Sequence, residues 1–470
     1  MNLVALRKPG ASPSDPSADA NHILEPPLVA TPPRFTAYST PQLDQISHLA
    51  TLSEDQRFAI RVVSHVLPFR VNDYVIDQLI DWSDIPNDPV FQLTFPQRGM
   101  LTEAHFDRMA DALRREAPRS ELKAVAQSIR ADLNPHPAGQ KQHNVPHLDG
   151  EPLPGMQHKY DETVLFFPAQ GQTCHSFCTF CFRWAQFIGD KDLKFASSEV
   201  DRLVAYLAEH REVTDVLITG GDPMVMKTRN IEAYLEALLD PRLEHIQNIR
   251  IGSKSLTFWP YRYVSDRDAD DLLRVFEKVV AAGKHLAFMA HFNHPRELST
   301  EVAEMAVRRI RNTGAIIRAQ APLLRHINDD AETWNANWRR QLELGIVPYY
   351  MFVERDTGAR CYFEVPLARA YEIYRDALQH VTGLGRTVRG PSMSAGPGKV
   401  EIQGITEVAG EKVFVLRFIQ ARESHWVQQP FFAAFDPEAT WLDKLRPAFG
   451  EEKFFFQAEY EAKYGATNLK

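Results

Sequence analysis

The chain has 470 residues, 44% of them apolar, and a formal net charge of -8 spread through interleaved acids and bases. This excludes a nucleic-acid footprint, which shows as a basic patch. It also excludes a membrane span, because the longest apolar runs, such as "VLFF" from Val164, are only strand-sized. Four cysteines make no disulfide scaffold in so long a chain, and the first residues lack the apolar core of a secretory signal. A cytoplasmic setting is expected, where clustered thiols suggest metal or redox chemistry.

Residues 1–40 ("KPGASPSDPSADA", "EPPLVATPPRF") read as a disordered or wrapping arm. Residues 41–155 read as a helical region. "DPVFQLTFP" from Asp88 breaks the pattern, "TEAHFDRMADALRREA" follows as an amphipathic helix, and a Pro/Gly-rich connector begins at Asn134. From 156 to 385 strands and helices alternate. The predicted strands are "TVLFFPA", "DVLITGG", "IRIGSK", "LAFMAHF", "IIRAQAPL" and "VPYYMFV", with helices such as "SSEVDRLVAYLAEH" and "DADDLLRVFEKVVAAG" between them. Six such units predict an α/β fold, a parallel sheet curled into a partial (β/α)6 barrel with its chemistry at the carboxyl ends of the strands. Residues 386–470 form a C-terminal region: the Gly-rich "RGPSMSAGPGKVEIQG", a hairpin-like pair and an aromatic-rich tail.

"GQTCHSFCTFCFRW" (Gly171 to Trp184) follows the first strand of the array and holds Cys174, Cys178 and Cys181. Three thiolates hold three irons of a four-iron, four-sulfur (4Fe-4S) cube and leave the fourth iron open. A structural zinc site wants four ligands, and His175 or Cys361 could supply the fourth.

The Cys-x3-Cys-x2-Cys spacing, with Phe180 before the last cysteine, resembles the signature of the radical S-adenosylmethionine superfamily. "ITGGDP" (Ile218 to Pro223) resembles its glycine-rich motif. "DPVFQLTFP", "LPGMQHKYDETVLFF", "RIGSK", "HFNHPREL", "LLRHINDD", "VPYYMF" and "AGPGK" then occur in the order seen in lysine 2,3-aminomutase and its relatives. The resemblance covers roughly Asp88 to Val415. It implies a 4Fe-4S cluster, S-adenosyl-L-methionine and pyridoxal 5'-phosphate as cofactors, and a small-molecule amino acid as substrate. A flavodoxin- or ferredoxin-like electron donor and a homo-oligomer are also expected, with neither nucleic acid nor membrane as partner. In that family the 5′-deoxyadenosyl radical takes a hydrogen from the β-carbon, and the amino group, held on pyridoxal phosphate, migrates from the α- to the β-carbon. The cofactors carry the chemistry and the protein orients them.

By the same resemblance Cys174, Cys178 and Cys181 are the metal ligands. Gly220, Gly221 and Asp222 hold the methionine amino group, and Phe180, His291 and Gln320 lie near S-adenosylmethionine. Lys399 carries pyridoxal phosphate, and Lys159, Tyr160, Ser253 and Lys254 hold it. Thr163 departs from the pattern, since the relatives carry an arginine there. Arg183 grips the substrate α-carboxylate. Read alone, Lys399 is a basic residue in a Gly-rich turn. It is not a phosphate-binding P-loop lysine, because Met393 and Val400 stand where that motif needs Gly and Ser or Thr. His291 and His294 could pair on a metal, but no carboxylate completes the set.

The aspartates that hold the far ammonium in the lysine enzymes fall here at Arg355 and Ser392. An acidic or neutral polar, glutamate-like substrate is therefore expected rather than lysine, subject to the adjacent Asp356. Two other readings stay open. One is a radical enzyme modifying a peptide or protein, with the aromatic tail as docking surface. The other is a cluster-bearing sensor.

Overall fold

A computed structural model describes residues 33–134, 144–188, 196–465 and 469. Most of the expected arm and part of the connector after Asn134 lie outside these residues.

Among the described residues, an eleven-stranded sheet organises the chain. Its first eight strands are β1 (Met156–Tyr160), β2 (Thr163–Phe166), β3 (Asp215–Ile218), β4 (Asn248–Ser253), β5 (His285–His291), β6 (Ile316–Leu323), β7 (Val347–Val353) and β8 (Arg389–Ser394). Strands β2 to β8 lie parallel in chain order, and β1 caps the β2 edge antiparallel. Three antiparallel strands continue from β8: β9 (Gly398–Val408), β10 (Glu411–Ala421) and β11 (Pro430–Ala434).

The intervening helices are amphipathic. In the helix Ala269–Ala281, Leu272, Phe276 and Val279 recur at helical spacing, are buried, and face β5. The sheet curls far enough for its two ends to meet. Lys159 Nζ, at the end of β1, donates to Ala395 O, just past β8, at 2.6 Å. The result is a partial barrel with its seam beside Lys399.

The structure corrects three expectations. "DPVFQLTFP" is not a break: Pro89–Thr94 is a short helix, because buried Asp88 caps it by accepting from Phe91 N at 2.7 Å, and Pro89 suits the first turn. "RGPSMS" is not loop but the seventh parallel strand. Gly390 and Pro391 hide it from propensity, while burial between β7 and β9 holds it in place. The aromatic tail is mostly core, with Phe449 and Phe455 left exposed. Trp426, Phe431, Phe454, Phe456 and Tyr460 are buried in a core that includes Phe418 of β10.

The N-terminal region is sewn to the cysteine loop. Ala37–Ser39 pairs with Arg70–Asn72, Phe177 N donates to Arg70 O at 2.8 Å, and Thr179 N donates to Leu93 O at 3.0 Å. Fully buried Asn72 joins three segments. Its amide donates to Phe258 O at 2.7 Å, its carbonyl accepts from Val75 N at 3.0 Å, and its backbone N–H meets Ser176 Oγ at 3.1 Å. Asn72→Ala strands the Phe258 carbonyl without a donor, so a loss of about 1–3 kcal/mol is expected. A lowered urea midpoint checks this; an unchanged midpoint would show that the loop is held by other contacts.

Candidate active site

Cys174, Cys178 and Cys181 sit between β2 and the helix Val200–Glu209, at the carboxyl end of the sheet. Burial pushes all three thiols up, Cys181 to about 11, so bound metal is needed to make them thiolates. Among the described residues, only Glu423, His425 and Glu459 bring three metal-ligand atoms within 4.8 Å of one another. Three cysteines leave a structural zinc ion one ligand short. The donor set suits a larger iron–sulfur cube. Of the two proposed fourth ligands, the His175 ring packs edge-on against Phe35, and Cys361 is exposed on the short helix Arg360–Phe363. The Glu423–His425–Glu459 group already holds a cation, the Lys463 ammonium, at 2.7 and 2.8 Å.

The glycine pair lies against this loop backbone to backbone. Asp222 N donates to Thr173 O at 2.7 Å, and a Cβ at Gly221 would come within 2.4 Å of the same oxygen. Only glycine permits that approach. The Asp222 carboxylate accepts from Ser253 Oγ at 2.7 Å and from Lys254 N at 3.0 Å; burial raises its pKa to about 6. Gln320 and His291 join side chain to side chain at 2.9 Å, and burial lowers His291 to about 3, leaving a neutral imidazole. Burial lowers His294 as well, to about 4; it accepts from Arg296 N and does not pair with His291 on a metal. Phe180 meets Phe363 edge-on nearby.

Ser253 and Lys254 belong to this half, and the structure does not bring them to Lys399. The Lys254 ammonium donates to Glu297 Oε1 at 2.6 Å, Asn293 Oδ1 at 2.9 Å and His291 O at 3.2 Å, which commits all its donors. Glu297 is fully buried, so the pair is a structural lock whose breakage leaves an uncompensated charge.

A second group gathers at the seam. Lys399, near the start of β9, rests over the Tyr350 ring at 4.2 Å and donates to Gln420 Oε1 at 3.4 Å. Burial, with help from Arg250 and Arg389, lowers its pKa to about 7. Gly398 beside it serves β10 rather than a ligand, since a Cβ there would meet Gln420 O at 2.4 Å. Burial takes Lys159 well below the ordinary lysine value, and the charges of Arg422, Arg355 and Lys399 lower it further. Tyr160 lies between the Arg422 and Arg355 charges. Among the described residues no carboxylate forms an ion pair with Lys159, Lys399 or Arg422, whereas Arg355 feels the charges of Asp356 and of buried Glu354. Thr163 is buried in β2 opposite Tyr160.

Arg183 lies between the two halves. Its guanidinium covers the Phe167 ring at 4.3 Å and donates to Gln172 Oε1 at 3.1 Å and to Gln186, while its buried Nε has no acceptor. Burial lowers its pKa to about 10, and Cys181 and Cys174 offset part of this. Arg355 follows β7, flanked by the Phe182 and Trp441 rings, and its Nε is likewise without an acceptor. Orphaned guanidinium N–H groups in enclosed surroundings suit anionic ligands. Ser392 is different. It is fully buried and its hydroxyl turns to Met351 O at 3.4 Å, so it offers no surface to a substrate. The expected pair of substrate residues reduces to Arg355. Sequence reasoning missed Arg422, Arg250, Arg389 and Trp441, which come from separate strands and loops; only Tyr350 carried a signal, inside "VPYYMF".

Three cysteines after the first parallel strand, with a glycine pressed on the Thr173 backbone just before them, match the radical S-adenosylmethionine pattern. No family model matches the chain. A protein of Aquifex aeolicus (strain VF5) named "Putative L-lysine 2,3-aminomutase" is 31% identical over 87% of this chain and 96% of its own length. The chain belongs to the lysine 2,3-aminomutase family. L-lysine 2,3-aminomutase of Bacillus subtilis (strain 168) is 24% identical over 77% of this chain and 66% of its own length. Glutamate 2,3-aminomutase of Clostridioides difficile (strain 630) is 27% identical over 45% of this chain and 47% of its own. A solved radical SAM methyltransferase from Sphaerobacter thermophilus aligns at 15% identity and a TM-score of 0.38, over 61% of this chain and 92% of that one. The family's cofactors are a 4Fe-4S cluster, S-adenosylmethionine and pyridoxal phosphate. Among the described residues no helix is long and apolar enough to cross a membrane.

Replacing any one of Cys174, Cys178 or Cys181 by Ala is expected to abolish reductive cleavage of S-adenosylmethionine, whereas Cys361→Ala leaves it intact. Chromatographic detection of 5′-deoxyadenosine and methionine reads both. Loss of the cluster in Cys361→Ala would replace the three-cysteine site with a four-cysteine one.

Proposed function

We propose that this protein is a pyridoxal phosphate-dependent amino acid 2,3-aminomutase, an isomerase, whose substrate carries an acidic or neutral polar side chain rather than an ammonium. The observation that supports this reading is the cationic group at the seam, Lys159, Lys399 and Arg422, none of which has an ion-paired carboxylate among the described residues, with Arg355 acting on the same Lys159. Like charges kept from water need anions. A phosphate and substrate carboxylates supply them.

Bound there, pyridoxal phosphate supplies carbonyl chemistry for the amino group, and S-adenosylmethionine at the cluster supplies the radical. The chain's own residues prepare the ground. Lys399, with a pKa of about 7, holds an unprotonated amine over Tyr350 near neutral pH and is thereby nucleophilic. Arg183, next to Cys174 and Cys181, presents its uncommitted Nε to the α-carboxylate, placing the substrate backbone beside the radical source. Arg355 sets the side chain. A substrate ammonium ~4 Å from it would be repelled by about 4 kcal/mol at an effective dielectric of 20, whereas a carboxylate would pair with it. The peptide-modifying reading keeps a smaller docking surface, because most of the aromatic tail packs inward and Phe449 and Phe455 are its exposed rings.

Lys399 gives the first test. A lowered lysine pKa means that the reactive free amine is lost as pH falls through 7. The rate of visible absorbance growth on adding pyridoxal phosphate to apoprotein should rise from pH 6 to 8 and then level. A rate still climbing toward pH 10 would contradict the assignment. Lys399→Ala should lose the absorbance while retaining iron and uncoupled S-adenosylmethionine cleavage.

Competition between glutamate and lysine in anaerobic, reconstituted enzyme tests the substrate class. Faster formation of β-glutamate is expected, with discrimination on the order of a hundredfold for a few kcal/mol. Faster β-lysine formation would sink the assignment and move attention to Asp356.

A further inference from the structure

The family pattern places an arginine where this chain has Thr163, so one positive charge is missing from the strand that should help hold the cofactor phosphate. A basic side chain from elsewhere stands at the same place. Lys159 Nζ donates to Ala395 O at 2.6 Å, and Arg422 Nε donates to the next carbonyl, Gly396 O, at 2.9 Å. Two cations from the two ends of the sheet thus converge on consecutive peptides of the turn that leads into Lys399. Arg422 is held there from several sides. Its other arm donates to Asn144 Oδ1 at 2.6 Å, its guanidinium lies 4.9 Å from the centre of the Tyr464 ring, and its backbone N–H donates to Pro397 O at 3.0 Å.

These contacts leave N–H donors on both side chains uncommitted. No ion pair neutralises either charge among the described residues. A surface arginine of ordinary structural use sits against a carboxylate or in water. Arg422 instead sits half-buried with its guanidinium on the peptide next to the one that Lys159 holds, an arrangement that a shared anion would make favourable. Tyr160 pairs with Thr163 in the hairpin, next to Lys159, so the grip's first arm and the position of the missing arginine share one strand pair.

We infer that Arg422, from the end of β10, is the second arm of the phosphate grip and works with Lys159 in place of the arginine absent at Thr163. The inference rests on the aminomutase reading above and assigns a residue outside the segment that resembles the family. Arg422 acts on the phosphate alone; Lys399 and the aromatic floor hold the ring.

The test compares pyridoxal phosphate with pyridoxal, which has the same aldehyde and ring but no phosphate. Affinities are read from the visible absorbance of the lysine-bound aldehyde in metal-reconstituted full-length protein. In Arg422→Gln, affinity for pyridoxal phosphate should fall about tenfold or more, as for loss of one charge-assisted hydrogen bond, with affinity for pyridoxal unchanged. Arg422→Lys should recover part of the loss. Equal weakening of both ligands in Arg422→Gln would make Arg422 a prop for the Gly396 turn and overturn the inference. Unchanged affinity for pyridoxal phosphate would overturn it too, while leaving the aminomutase reading intact. A wild-type protein that takes up neither aldehyde would overturn both.

Discussion

The structure depends on one electrostatic constraint: a group of cations at the seam in which only Arg355 has acidic neighbours, Glu354 and Asp356. Lys159, Lys399, Arg355 and Arg422 come from β1, β9, the loop after β7 and β10, and each lowers the local tolerance for another positive charge. At separations of several ångströms in a protein interior such charges repel by a few kcal/mol per pair. The fold bears this cost where its two ends meet, through hydrogen bonds from Lys159 and Arg422 to the Ala395–Gly396 turn. Burial, helped by Arg250 and Arg389, lowers the Lys399 pKa, so the enclosure that demands an anion also produces the nucleophile.

The cysteine half of the site obeys a different rule. Its charges are neutralised within the protein. Lys254 is paired with Glu297, His291 is kept neutral beside Gln320, and Asp222 is surrounded by donors. With its charged groups paired or surrounded by donors, this half forms a connected hydrogen-bond network. Asn72 and the ribbon at Arg70–Asn72 close it from the N-terminal side, which limits water around a site built for radical chemistry. Arg183 belongs to both halves, with Cys174 and Cys181 on one side and its uncommitted Nε available to the other.

The C-terminal region is therefore part of the catalytic fold. Strand β8 completes the parallel run, the β9–β10 hairpin carries Lys399 and Arg422, and the aromatic core of Trp426, Phe431, Phe456 and Tyr460 supports that hairpin from behind. Trp441 reaches back to Arg355 at 5.8 Å. Aromatic burial in the tail stabilises the hairpin, and the hairpin holds the cationic group.

The sequence alone determined what depends on local pattern. Alternating apolar strands and amphipathic helices specify the parallel array. The cysteine spacing specifies an iron–sulfur loop, and the ordered motifs specify the family. Tertiary packing decided the rest. Val90 to Thr94 became helix because Asp88, paired with Arg296, could cap it. The glycine- and proline-bearing Arg389–Ser394 became a strand because burial between β7 and β9 outweighs propensity. Ser392 turned inward, Lys254 went to Glu297, and Arg422 arrived from 263 positions beyond Lys159, counted as 422 minus 159. A linear pattern states which charges a chain carries. Only the curl of the sheet, set by the packing of every helix against it, decides which of those charges meet without water between them.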